Sequence, residues 1–141
     1  MEEHIFWPKL TIMALASNAP DTPNVTNRLL RNANDLGHLF VFFYDQSIAE
    51  QFKNLIRDHL AIAADLVVAA KKGDDKFVKS IDKKWHENAD EISRFMSSIN
   101  SYFNELEIKK MFYNHLNLTK NEAVAILNNK YEEVIKIFDE I

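Results

Sequence analysis

The chain has 141 residues, which is enough for one domain with a buried core, and 47% hydrophobic and 27% charged residues are typical of a folded chain. The absence of cysteine excludes disulfides, thiol nucleophiles and thiolate metal sites, and a net charge of −4 gives no basic surface for nucleic acid. Without a signal-peptide pattern or an apolar run of membrane-spanning length, we expect a single cytoplasmic domain with no nucleic-acid or membrane partner.

The first two helices are indicated by proline positions, because only two glycines and three prolines interrupt the chain and strand patterns are absent. Pro8 is expected in the first turn of helix one, which is predicted over residues 5–17. Thr22 is the expected N-cap of helix two, with Pro23 at its first position and its end near Tyr44.

Capping residues also predict helices three and four. Ser47 and Glu50 form a capping box that opens helix three, and Gly73 closes it after two lysines that complement the helix dipole. Helix four is expected to follow from the Asp74–Asp75 pair, one of which caps it, to about Ser98.

The last part of the chain is divided in the same way. Asn104 is the expected N-cap of a short helix five that ends near His115, and Thr119 with Glu122 forms a capping box that opens helix six. Helix six reaches the apolar Ile141 without a stop signal, so we expect the native chain or a partner to continue there. Short connections favour antiparallel neighbours, which predicts an all-α, up-down bundle of four main helices plus one or two shorter ones.

Four polar residues lie on the apolar stripes of these helices, one on each of four segments. They are Asn32, His59, Asn88 and His115. Residues equally far from a short antiparallel turn share an axial level, and counting from three separate turns brings all four to about one layer. A lone buried polar group costs roughly 1–3 kcal/mol unless it is partnered, so we expect the four to form a buried polar cluster.

The first interpretation of this cluster is a site for a metal ion or a small ligand in the core of the bundle. Glu3 would extend the apolar stripe of Phe6, Leu10 and Met13 if helix one reaches back that far, and Asp35 flanks the stripe of helix two, a turn or two from the polar layer. Imidazole and carboxylate together suit a divalent iron, manganese or zinc ion. The predicted ligands are therefore His59, His115, Glu3 and Asp35, oriented by the two asparagines. This interpretation requires nitrogens of the two histidines to lie within about 5 Å of each other.

The second interpretation is a hydrogen-bond network that only sets the register of the helices in a structural or interaction protein. The open end of helix six would then be a contact in a homo-oligomer. His38 and His86 point away from the apolar stripes, and His4 lies at a fraying terminus where its role stays open. No phosphate-binding loop or paired nucleophile and base occurs, so no enzyme activity is assigned.

Four runs carry a resemblance to known proteins. They are NRLLRNANDLGHLF (27–40), DHLAIAADLVVAAKKGD (58–74), WHENADEISRFMSSIN (85–100) and NHLNLTKNEA (114–123). Together they resemble a family of small uncharacterised bacterial all-helical proteins, some labelled acetylglutamate kinase, and the similar proteins continue past the last residue of this chain. An amino-acid kinase needs an α/β fold with glycine-rich phosphate loops, so two glycines and no strand pattern exclude that label. The start EEHIFW also resembles helical-bundle proteins suspected of binding metal.

Overall fold

The computed structural model describes residues 2–141, with side chains from Glu3 onwards, and this part of the chain forms six helices and no strand. The helices are α1 (Glu2–Ser17), α2 (Thr22–Phe40), α3 (Gln46–Lys72), α4 (Asp75–Ile99), α5 (Glu105–Leu127) and α6 (Tyr131–Glu140). Each packs on its neighbour in the sequence, and α1 also packs on α3 and α5. The all-α bundle is therefore confirmed, and its central helix is α3, which contacts α1, α2, α4 and α5.

Three helices begin at a side-chain cap. Asp45, Asp74 and Asn104 each accept a hydrogen bond from the backbone N–H three residues later, at 3.0, 3.0 and 3.2 Å. The last two are the predicted caps of their helices, whereas Asp45 replaces the predicted capping box at Ser47. At the other end of α3, Gly73 adopts a φ of 72° and closes the helix as predicted, because glycine enters this left-handed conformation at little cost.

The first helix is longer than predicted and contains Pro8 in its interior. The prediction that this residue lies in the first turn is therefore wrong, and α1 begins at Glu2 instead of Ile5. Proline lacks the N–H that would bond to the carbonyl four residues earlier, so the carbonyl of His4 has no helical partner at this point. The helix tolerates this loss while it packs on α2, α3 and α5.

The second helix also differs at both ends from the prediction. Thr22 is the first helical residue and Asp21 takes the N-cap position without a side-chain hydrogen bond, so Thr22 is not the cap. Its hydroxyl instead donates to the carbonyl oxygen of Ala14, at 3.1 Å, which ties α2 to α1. The helix ends at Phe40, before the expected Tyr44.

The fifth helix runs without a break through the predicted start of helix six, so the capping box of Thr119 and Glu122 is a wrong prediction. The Thr119 hydroxyl donates back to the carbonyl of His115 at 2.9 Å, and Glu122 is buried with 2% of its surface exposed. Both side chains face the core from the middle of a helix. The chain breaks later, where Asn129 takes a φ of 58° between α5 and the ten-residue α6.

The core lies on three sides of the central helix. One cluster joins α2, α3 and α4 around Leu29 and Ile92, and a second joins α3, α4 and α5 around Trp85 and Leu116. A third cluster is centred on Ile12 and joins α1 to α3, α5 and α6. None of the described helices combines the length and apolarity that crossing a membrane requires.

Candidate metal centre

Three histidines from three helices meet where α1 packs on α3 and α5, and of these His59 is buried whereas His4 and His115 are half-buried. His4 lies on α1, His59 on α3 and His115 on α5, and one ring nitrogen of each lies within 4.8 Å of those of the other two. The ring centroids are 6.1 to 6.4 Å apart. The three rings come together because α1 packs against both α3 and α5, which places one histidine from each helix at a common level.

The ring of His59 is held in one orientation by Asn88. The Nδ2 of Asn88 donates to the backbone carbonyl of Leu55 at 3.1 Å, which fixes the amide so that its Oδ1 lies 3.0 Å from Nδ1 of His59. An amide oxygen only accepts hydrogen bonds, so the His59 Nδ1 carries the proton and donates it. In the neutral ring this leaves the lone pair on Nε2, the atom available to a metal ion.

The backbone beside this ring is held by Trp85. Its Nε1 donates to the carbonyl of His59 at 3.1 Å, and the two rings lie 5.5 Å apart. Both side chains are buried, with 2% of the surface of each exposed. The position of His59 is therefore fixed through both its ring and its backbone.

Asn32 accepts a hydrogen bond from the ring of His4, as Asn88 does from the ring of His59. The Nδ1 of His4 lies 2.9 Å from the Oδ1 of the buried Asn32, so this ring also donates from Nδ1 and keeps a lone pair on Nε2. Arg28 of α2 also contacts the start of α1, close to His4. Its guanidinium pairs with Glu3 at 2.6 Å and lies 4.8 Å from the ring centroid of Trp7. These contacts with α2 position the first histidine of the group.

All three imidazoles are kept neutral by their surroundings. Burial lowers the pKa of His59 to about 3, with further lowering by the nearby rings of His115 and His4. Burial lowers the pKa of His115 to about 4, again with a contribution from His4. Burial also lowers the pKa of His4. A metal ion needs the neutral imidazole, so the core supplies the protonation state that coordination requires.

A small cavity of about 30 Å³ adjoins the three rings. Its wall is mostly apolar and includes Ile12, Leu29, Leu60, Val67 and Ala123. A buried water needs roughly 10–15 Å³ measured in this way, so the space suits a metal ion's small ligands and excludes large molecules.

The two predicted carboxylate ligands lie outside this group. Glu3 and Asp35 both bind the guanidinium of Arg28, at 2.6 and 3.2 Å, and 59% of the Glu3 side chain is exposed. Glu3 and His4 are neighbours about 100° apart around α1, so only one of them can point to the core. The structure brings together His59, His115, Asn32 and Asn88 as the sequence analysis expects, with His4 where a carboxylate was predicted.

The missed residue, His4, does have a signal in the sequence. His4, Pro8, Thr11 and Leu15 follow a helical period, and all four line the cavity. The stripe predicted from the sequence to be the apolar one is that of Phe6, Leu10 and Met13, but Phe6 and Met13 are 51% and 48% exposed. Taking the stripe that contains His4 as the core-facing one would have added the third histidine.

Comparison with known proteins gives no further guidance, because no protein-family model, curated protein or solved structure matches the chain. The resemblance of the four sequence runs to small bacterial helical proteins therefore stays a prediction. The interpretation of the site depends on the geometry and chemistry of its own residues.

Proposed function

We propose that this protein is a metal-binding helical bundle that holds one divalent transition ion with His4, His59 and His115. The observation that carries the proposal is the meeting of three ring nitrogens, within 4.8 Å of one another, from three different helices. Asn32 and Asn88 would act as orienting residues, because each accepts the Nδ1 proton of a ligand ring.

A network that only sets helix register explains this arrangement less well. The asparagines satisfy the Nδ1 atoms of His4 and His59, but the two remaining Nε2 atoms are both acceptors and cannot bond to each other. The neutral ring of His115 has a single N–H and can donate to only one of these two acceptors, so the other needs water or a cation. A metal ion between the rings meets that need for all three histidines at once.

Zinc and iron fit this ligand set better than manganese does, and zinc is the ion that we take for the test. Manganese favours carboxylate and water oxygens, whereas neutral imidazole suits zinc, copper, iron and nickel. Zinc bound by three histidines takes a tetrahedral arrangement with Zn–N distances near 2.0–2.1 Å, which sets the nitrogens about 3.4 Å apart. Ligation would bring the nitrogens closer together than the 4.8 Å within which they now lie.

We propose a cytoplasmic location, since a histidine site in a cysteine-free chain needs no oxidising compartment.

Metal content of the untagged protein tests the proposal. After incubation with zinc and removal of free metal by gel filtration, elemental analysis should find about one zinc per chain. His4→Gln and His115→Gln should each lower the bound zinc at least tenfold in a competition with a metal indicator, because each removes a ligand. Circular dichroism would verify that the variants remain helical.

His38→Gln supplies the matched control, because His38 is exposed and lies outside the cluster. It should bind zinc as the native chain does. Absence of tight zinc, copper, cobalt and nickel binding by the native chain, or equal binding by folded His115→Gln protein, would contradict the proposal.

A second candidate is a homo-oligomer that forms through α6. This short helix buries Val134 but leaves Tyr131 and Ile135 exposed, at 64% and 61% of their surfaces. Both line one apolar groove with Met13 of α1, which is also exposed. A second copy of the chain could cover this groove, and this function is compatible with a metal centre elsewhere in the bundle.

A further inference from the structure

The charge at the proposed centre is not balanced by its ligands. Three neutral imidazoles would leave a divalent ion with its full +2 charge, and among the described residues no carboxylate joins the group. Glu3 and Asp35 are committed to Arg28, and Asp58, the neighbour of His59, is exposed. An ion held between one buried and two half-buried rings is only partly hydrated, so its charge favours a negative ligand from solution.

The cavity beside the rings has room for such a ligand but offers it few hydrogen bonds. The hydroxyl protons of Thr11 and Thr119 are already donated to the backbone carbonyls of Trp7 and His115, at 2.9 Å each. Lys120 also lines the cavity, and its Nζ is paired with the Asp82 carboxylate at 3.2 Å. The remaining wall is largely apolar, so an anion would be held by the metal and by apolar contacts.

These features select among anions by size and hydration. A cavity of about 30 Å³ admits a ligand of roughly two water-sized groups. Phosphate and sulfate are larger, and they need several hydrogen-bond donors to replace the water that they lose on binding. A linear, weakly hydrated monovalent anion meets both conditions better, and hydroxide is the smallest anion that water itself supplies.

We propose that the fourth coordination position of the His4–His59–His115 centre binds a small monovalent anion from solution, with azide as its experimental representative. The inference rests on the proposed metal function and adds the chemical class of the exogenous ligand. It also assigns the apolar cavity as the place where that ligand lies.

Cobalt(II) provides the test, because its visible absorption reports changes in its ligands and it suits nitrogen sites of this kind. The protein is loaded with one cobalt per chain and titrated with sodium azide at constant ionic strength. We expect a saturable change in the visible spectrum with one azide per cobalt, and no change with sulfate or phosphate at the same concentrations. Dialysis followed by metal analysis verifies that azide has not removed the cobalt.

A pair of alanine variants locates the anion. Ala63 lines the cavity, whereas Ala61 of the same helix does not. Ala63→Val should fill part of the space and weaken azide binding by about tenfold or more while the cobalt remains bound, and Ala61→Val should leave azide binding unchanged. Equal azide affinity in the two variants would overturn the location.

The outcomes separate the two proposals. If neither cobalt nor zinc, copper or nickel binds to the three histidines, the metal function fails and the anion site fails with it. If cobalt binds one to one and azide leaves its spectrum unchanged, the metal function stands and the anion inference is overturned. Binding of phosphate as strongly as azide would overturn the selection for small monovalent anions.

Discussion

Asn88 orients the ring of His59 through two hydrogen bonds in opposite directions. It donates to the Leu55 carbonyl and accepts from His59 Nδ1, so the amide and the imidazole fix each other's orientation. The buried Asn32, on a different helix, accepts from Nδ1 of His4 as Asn88 does from His59. If the two histidines are ligands, as we propose, the asparagines set which ring nitrogen of each is free to bind the ion.

Removing this orienting contact should weaken metal binding without removing a ligand. Asn88→Ala leaves the His59 Nδ1–H without its acceptor, so we expect zinc affinity to fall by about 10- to 100-fold. Competition with a fluorescent zinc indicator measures this change. Asn34→Ala, an exposed asparagine on α2, is the control and should keep native affinity. Native affinity in folded Asn88→Ala protein would argue against an orienting role.

At the scale of elements, the sequence predicts best where a boundary depends on local chemistry. The end of α3 and the start of α4 follow from Gly73 and Asp74, whose conformations depend on adjacent residues alone. With that turn placed, equal distances along the two helices bring His59 opposite Asn88, and the structure has them hydrogen-bonded. The polar layer could therefore be predicted from caps and helical periodicity.

The rest of the site depends on tertiary contacts that local rules do not contain. Pro8 and Thr119 both carry signals for a helix start, yet each lies inside a helix that packing on other helices maintains. The choice between Glu3 and His4 as the core-facing residue depends on the rotation of α1, to which the binding of Arg28 to Glu3 contributes. The sequence therefore predicted two of the three histidines of the cluster. It also placed Glu3 and Asp35 in the site, whereas in the structure both carboxylates pair with Arg28.

For the whole molecule, the apolar groove beside α6 gives a prediction about assembly. If a second copy covers Tyr131 and Ile135, analytical ultracentrifugation should find a dimer in the native chain and a shift to monomer in Ile135→Glu, because a buried unpaired charge opposes association. Lys136→Glu also adds negative charge to α6 but lies outside this groove, and it should remain dimeric. A monomeric native chain at micromolar concentration would exclude this assembly.

The histidines of the cluster also give the whole fold a pH dependence. Their folded-state pKa values are about 3 for His59 and about 4 for His115, below the unfolded value of about 6.5. At pH values between the folded and unfolded pKa of each histidine, the unfolded chain therefore binds more protons than the folded chain does. The stability of the metal-free protein should therefore be fully present above pH 6.5 and decrease as the pH falls towards 4. Each such histidine contributes a slope of up to about 1.4 kcal/mol per pH unit.

Urea unfolding of chelator-treated protein at several pH values between 7.5 and 4.5 measures this dependence. The raised pKa of the buried Glu122 acts in the opposite direction, so the informative quantity is the difference between the native chain and His115→Gln. In His115→Gln, the slope of the unfolding free energy against pH should fall by the contribution of about one proton. In His38→Gln this slope should remain as in the native chain. Equal slopes in the native chain, His115→Gln and His38→Gln would mean that the His115 ring reaches water and takes up its proton in the folded state. The reason for expecting an unprotonated ligand in the core would then be lost as well.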